Sequence, residues 1–141
     1  MNTYFIKRFI VPQDFLYATA LAEIKAGKKS SHWMWFIFPQ LRGLGRSAMS
    51  HIYGISGPDE ARAYLSHPIL SARLMEISEA LLQLNTQNPE EILGEIDARK
   101  LRSSMTLFAL ISEDGSVFHR VLARFYNGQM DERTLRLLTP S

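Results

Sequence analysis

The sequence predicts an all-α fold: a single compact domain of roughly seven or eight short helices packed at varied angles. Three observations predict it. Apolar residues recur at helical spacing along most of the chain. Proline or a small polar residue followed by acids repeatedly marks a helix start, and glycine a stop. No Asn-Gly or Asp-Gly pair joins two alternating runs, because Asp114-Gly115 lies between helical patterns. The 141 residues make one domain, residues 1–141, long enough to bury a core. Residues 1–12 read as a loosely packed arm.

Tyr17, Ala20, Leu21 and Ile24 fall at i, i+3, i+4 and i+7 and set a first helix from about Gln13 to Ala26. Gly27 suits its end, and Lys25, Lys28 and Lys29 suit the negative pole there. Ser30 or Ser31 caps a short apolar segment that Pro39 ends, since Phe38 before proline is pushed out of α geometry. Periodicity does not separate helix from strand in this segment. Gln40 to Arg46 is a loop, and Ser47 caps a helix through Met49, Ile52 and Tyr53 up to Gly54. Pro58 opens a helix to about Ser66, with Asp59 and Glu60 in its first turn. Pro68 opens the next, whose stripe is Leu70, Leu74, Ile77, Leu81 and Leu84. Asn88, Pro89 and Glu91 read as N-cap, first residue and capping-box acid, with Gly94 as the stop. Asp97 caps a helix to about Ser112 with Leu101, Met105 and Phe108 inward. Ser116 starts another, with Phe118, Val121, Leu122 and Phe125 on one face and Gly128 at its end. Asp131 and Glu132 start a last helix carrying Leu135 and Leu138.

Composition excludes several classes. There is no cysteine, hence no disulfide, thiolate metal site or cysteine nucleophile. Hydrophobic residues are 46% and charged residues 21%, a globular rather than disordered balance. No apolar run approaches the ~18–20 residues needed to span a bilayer. The first residues lack a signal peptide's apolar core and cleavage site, so the reading is a cytoplasmic protein. Histidines 32, 51, 67 and 119 are scattered, with no ligand pair at helical spacing, so no metal is expected. No Walker A sequence, dinucleotide fingerprint or GxSxG appears, and no cofactor is expected. With no helix-turn-helix or RNP sequence, the basic residues are thin support for nucleic acid. The oligomeric state stays open.

The net charge of +2 conceals a pattern. Residues 24–58 carry Lys25, Lys28, Lys29, Arg42 and Arg46 and no acid. Residues 59–97 carry eight acids against Arg62 and Arg73, and residues 98–112 carry Arg99, Lys100 and Arg102 and no acid. Two acid-free basic blocks flank an acidic one.

Three constellations lie in the basic blocks. Arg42-Gly43-Leu44-Gly45-Arg46-Ser47 combines glycines that let backbone N–H groups converge, two guanidinium forks and a helix start. That pattern reads as an anion-binding loop, or else as a turn with solvated arginines. His32-Trp33-Met34-Trp35-Phe36 precedes it. Met34, Phe36, Ile37 and Phe38 are core candidates; Trp33 and Trp35 are either core or a stacking surface for a ring. His32 is either a structural histidine or a general acid–base at neutral pH. Arg99, Arg102, Ser103 and Thr106 share one helix face with Lys100 beside it, either a solvated surface or a second wall of the anion site.

SHWMWFIFPQLRGLGRS, taken with Tyr53-Gly54-Ile55, EARAYLSHPIL from Glu60 and KLRSSMTLF from Lys100, resembles the bacterial domain-of-unknown-function family numbered eighteen-ten from about Asp14 to Leu138. The resemblance implies a compact all-α single domain and no established activity. More distantly the chain is similar to an all-α family acting on ADP-ribose conjugates and riboflavin-pathway N-glycosides. Asp97 matches that family by position, whereas Ser31-His32-Trp33 stands where it carries a glutamate.

The expected function is binding of a phosphorylated or nucleotide-like small ligand, such as an ADP-ribose or N-glycoside conjugate. Arg42, Arg46 and Ser47 would hold the phosphate and Trp33 or Trp35 the ring. Gln40, Lys100 and Ser103 would add polar contacts. Any catalysis would be hydrolysis or transfer, with His32 and Asp97 as first candidates for moving protons. The alternative is a non-enzymatic module presenting its basic face to an acidic protein partner.

Overall fold

The computed structural model describes residues 5–139. After a 3-10 turn, Ile6–Phe9, they form α1 (Ile10–Lys25), α2 (Met34–Ile37), α3 (Ala48–Ile52), α4 (Pro58–Ser66), α5 (Pro68–Leu82), α6 (Pro89–Leu93), α7 (Glu95–Leu110), α8 (Val117–Tyr126) and α9 (Glu132–Leu138). The all-α class holds, with nine α-helices among the described residues. Three helices open on proline, where a missing N–H removes no bond and the fixed φ suits the helix. Ser47, Asn88, Ser116 and Asp131 cap as their positions imply, each accepting a backbone N–H of the first turn.

Local chemistry corrects several boundaries. α1 starts at Ile10, three residues before Gln13, because Pro12 lies in its first turn and is tolerated there. Glu91 does not close a capping box. Its carboxylate takes the Thr86 hydroxyl, and Thr86 Oγ1 in turn accepts the Asn88 N–H. Asp97 is not a cap: α7 begins at Glu95 behind Gly94, whose φ of 82° only glycine adopts freely. Neither Ser30 nor Ser31 caps α2, which has no side-chain cap. At the end of α8 the first left-handed residue is Asn127, followed by Gly128.

α5 and α7 carry the core. α5 packs on α1, α4 and α8, and α7 on α4, α6, α8 and α9. The stripe Leu70, Leu74, Ile77 and Leu81 is buried, as are Leu101, Met105 and Phe108. At ~1.5–3 kcal/mol for each fully buried large apolar side chain, these rows dominate the stabilisation. Aromatic rings link the layers: Phe9 meets Tyr64 edge-on at 5.1 Å, Tyr64 meets Phe108 at 5.4 Å, and Phe108 meets Phe118 at 5.7 Å.

The loosely packed arm expected over residues 1–12 is corrected wherever it is described. Phe9 is fully buried. Arg8 donates to the carbonyls of Phe5, Ile52 and Gly54 and at 2.7 Å to the Glu60 carboxylate. The turn is thus riveted to the loops around α3 and α4. Residues 1–4 lie outside the described residues.

Candidate functional site

The glycine–arginine loop is held open by backbone bonds. Arg42 N–H donates to Ile55 O at 2.7 Å, and Ile55 N–H donates to Gln40 O at 2.9 Å. This isolated parallel bridge, Leu41 to Ile55, closes the base of an excursion containing α3. Two glycines let the excursion fold on itself. A Cβ on Gly54 would stand 2.8 Å from Arg42 Cα and Ser50 O, and one on Gly45 would strike the Ser50 side chain. Ser47 Oγ accepts Ser50 N–H at 3.1 Å and donates to Ser50 Oγ at 3.0 Å, so the hydroxyl is spent on the cap.

Before the loop, Glu23 sets the aromatic segment. Its carboxylate accepts Ser30 N–H at 2.8 Å, Ser31 N–H at 3.0 Å, Ser31 Oγ–H at 2.5 Å and Trp33 Nε1–H at 2.9 Å. Burial raises its pKa, but these four donors outweigh burial and leave it at about 2. Trp33 is thereby drawn fully inside. Met34, Phe36, Ile37 and Phe38 are buried as the apolar run implies, while Trp35 is half-buried.

α7 supplies the facing wall. Lys29, nearly buried, reaches Asp97 at 2.9 Å and covers the Trp33 ring at 5.1 Å. On the other side of Asp97, Lys100 stands at 3.7 Å, too far for a hydrogen bond, with its ammonium 5.5 Å from the Trp35 ring centroid. The polar face expected to be either solvated or a ligand wall splits. Arg102 donates to Gln129 O and Met130 O, and the buried Thr106 hydroxyl accepts Asp131 N–H at 2.9 Å. These contacts deliver α9 to the open side of the loop, where Arg133 donates to Leu44 O at 3.3 Å.

Between loop, α7 and α9 lies a cleft of about 260 Å³. Gln40, Leu44 and Gly45 form one side; Ile96, Arg99, Lys100 and Ser103 form the floor; Asp131 and Arg133 close it. Three cations face one acid. That acid is occupied, since Asp131 Oδ2 accepts Thr134 N–H at 2.9 Å and its hydroxyl at 2.6 Å. Arg99 is paired with Glu95 at the surface, whereas the Lys100 ammonium stands too far from its nearest carboxylate for a hydrogen bond. Ser103 Oγ donates to Arg99 O at 3.1 Å and presents its lone pairs.

The cleft gathers Gln40, Lys100 and Ser103 and leaves other expected residues outside. Arg42 is exposed and turns to the end of α3, donating to His51 O at 3.2 Å. Arg46 is exposed and makes no salt bridge among the described residues. Neither arginine lines the cleft, so it is not walled by the arginines of the expected anion-binding loop. Trp33 is corrected as a stacking surface, because no ring reaches a fully buried indole. His32 is exposed and away from the cleft walls, and Asp97 sits behind the floor between two ammonium groups. Neither His32 nor Asp97 lines the cleft. Among the described residues no cluster of metal-ligating side chains occurs, and no helix is long and apolar enough to cross a membrane.

The family model described as "Protein of unknown function (DUF1810)" matches residues 3–138. The chain belongs to the DUF1810 family. It is similar to the conserved hypothetical protein Rv1873 from Mycobacterium tuberculosis, whose crystal structure aligns with a TM-score of 0.93 and 46% identity. The alignment covers 96% of this chain and 97% of that one. No curated protein matches the chain. The resemblance read from the motifs is thus confirmed, as is the all-α single-domain fold it implied.

In this DUF1810 domain the long motif has two duties. Trp33, Met34 and Phe36 to Phe38 are core, tied in by the Glu23 knot; Gln40, Leu44 and Gly45 line the cleft. Sequence reasoning missed Arg133 altogether. It lies 89 residues from Leu44 in a segment whose charges cancel, and only the Arg102–Thr106 grip on residues 129–131 brings it round.

Proposed function

We propose that the domain binds a small phosphorylated ligand in the cleft between the Gln40–Gly45 loop and α7. The observation that carries this reading is the convergence of Arg99, Lys100 and Arg133 on one cleft whose single carboxylate is already engaged in capping. Guanidinium forks and an ammonium are the groups that hold phosphate oxygens. A volume of about 260 Å³ suits a sugar phosphate or mononucleotide better than a whole dinucleotide, since drug-sized ligands fill ~300–1,000 Å³. Binding, not catalysis, is the function these groups support.

Thermal shift and calorimetry with ribose 5-phosphate, nucleoside monophosphates, ADP-ribose and NAD test the reading. A ligand at 100 times its Kd stabilises by about 2.7 kcal/mol. Arg133→Ala and Lys100→Ala each weaken binding roughly tenfold, equivalent to about 1.4 kcal/mol. No response from any of these ligands at millimolar concentration sinks the proposal.

A second reading rests on a different observation. Arg42 and Arg46 both stand exposed in a stretch, residues 24–58, that has no acid. They fit an acidic protein surface. Salt-sensitive association in sedimentation supports this reading, and a concentration-independent monomer at low salt counts against self-pairing.

A further inference from the structure

A second, smaller compartment adjoins the cleft. It measures about 10 Å³, the size of one water molecule, and lies among Met34, Trp35, Phe38 and Tyr53. Gln40 and Lys100 line both spaces and so form the partition between them. Lys100 is the movable part of that partition. Its ammonium covers the half-buried Trp35 ring at 5.5 Å, and its nearest carboxylate, Asp97, is too far for a hydrogen bond.

Resting on the phosphate-binding reading above, we infer that the cleft's ligand class is the nucleoside monophosphate, with Trp35 as the stacking surface for its base and Lys100 as the residue that uncovers it. A phosphate beside Arg99 and Arg133 offers Lys100 a hydrogen-bonded ion pair in place of a longer-range one. Drawing the ammonium forward exposes the indole face it had covered. The compartment has room for only a water while Lys100 covers the ring, so the base enters only as Lys100 leaves, and Gln40, which lines both spaces, offers it a donor and an acceptor. Trp33 takes no part, since it is buried and bonded to Glu23.

The chain has two tryptophans, so the change is readable by emission excited beyond nucleotide absorption. Calorimetry compares AMP with ribose 5-phosphate on the wild-type protein. AMP binds about 5- to 150-fold tighter, the range that base–aromatic stacking contributes; ribose 5-phosphate changes Trp35 emission only through the withdrawal of Lys100, and AMP changes it further by stacking on the ring. In Trp35→Leu the AMP to ribose 5-phosphate ratio collapses toward one and nucleotide no longer changes the emission. Lys100→Met, which keeps the length and removes the charge, weakens both ligands. If the two ligands bind the wild type equally and AMP moves the emission no further than ribose 5-phosphate does, the inference is overturned while the phosphate site stands. A preference for AMP that survives Trp35→Leu also overturns it, because the base is then read elsewhere. If neither ligand binds, the phosphate reading fails and takes this one with it. A poorly folded Trp35→Leu does not block the test, since the affinity ratio and emission of the wild-type protein decide by themselves.

Discussion

Arg8 and Glu60 offer the most demanding test of the physical reasoning. Their side chains are only 8% and 3% exposed, and they meet at 2.7 Å. Arg8 also donates to three carbonyls, while the second oxygen of Glu60 accepts Ser56 N–H at 2.7 Å. Every strong group is satisfied, so removing one partner strands a buried charge. Breaking such a pair costs about 3–5 kcal/mol, far above the ~0–1 kcal/mol of an exposed pair such as Arg62–Asp59. Arg8→Met is therefore expected to lower Tm by roughly 10–15 °C, taking about 3 °C per kcal/mol for a chain of this length. Urea unfolding followed by circular dichroism gives the free energy, and a cycle with Glu60→Gln gives the coupling. The pH dependence carries a sign. Burial raises the Glu60 pKa, but the Arg8 and Ser56 hydrogen bonds outweigh it and hold the group below its ordinary 4.5. Its stabilisation is fully present above pH 4.5 and is lost as pH falls through the lowered value. Wild type should thus lose stability below pH 4.5 more steeply than Glu60→Gln. A cost for Arg8→Met under about 1 kcal/mol, with no coupling in the cycle, refutes the argument.

Three further outcomes are expected. Glu23→Gln costs about 1–2 kcal/mol, at the modest end because the carboxylate is partly solvated, and red-shifts Trp33 emission. The wild-type stabilisation from Glu23 is fully present above pH 4.5 and is lost progressively as pH falls from there toward about 2. Gly54→Ala destabilises by about 1–3 kcal/mol in thermal melts, since its Cβ would meet the backbone of Arg42 and Ser50, which cannot swing aside as a side-chain tip would. Asp131→Ala removes the cap of α9 at a cost near 1 kcal/mol and weakens phosphate binding by loosening Arg133, which calorimetry reads directly.

What the sequence disclosed follows from the range of each interaction. Helix starts at Pro58, Pro68, Pro89, Ser116 and Asp131 were legible because proline geometry and side-chain caps act within four residues. Asp97 misled for the same reason: an acid in a first turn and an acid at a cap look alike until Gly94 shows its positive φ. The acid-free blocks located the walls of the cleft, since Gln40 to Gly45 and Arg99 to Ser103 do face each other. Charge counting carries no direction, however, and Arg42 and Arg46 turn away. Trp33 and Trp35 are two residues apart and chemically alike; only Glu23, ten residues before Trp33, decides which goes inside.

The bridge from Leu41 to Ile55 has a consequence for motion. The segment from Arg42 to Gly54 is tied to the domain by the Arg42 and Ile55 amides, the Arg8 grip at Ile52 and Gly54, the Arg133–Leu44 bond and the Tyr53 ring against Phe9 and Phe36. Those bonds can open while α5 and α7 stay packed, so the excursion is a cooperative unit with an opening free energy below that of the whole domain. In hydrogen exchange the amides of α3 should form one early class and those of α7 a late one. One rim of the cleft therefore belongs to a segment able to detach by itself, and the other to the last part of the protein to unfold.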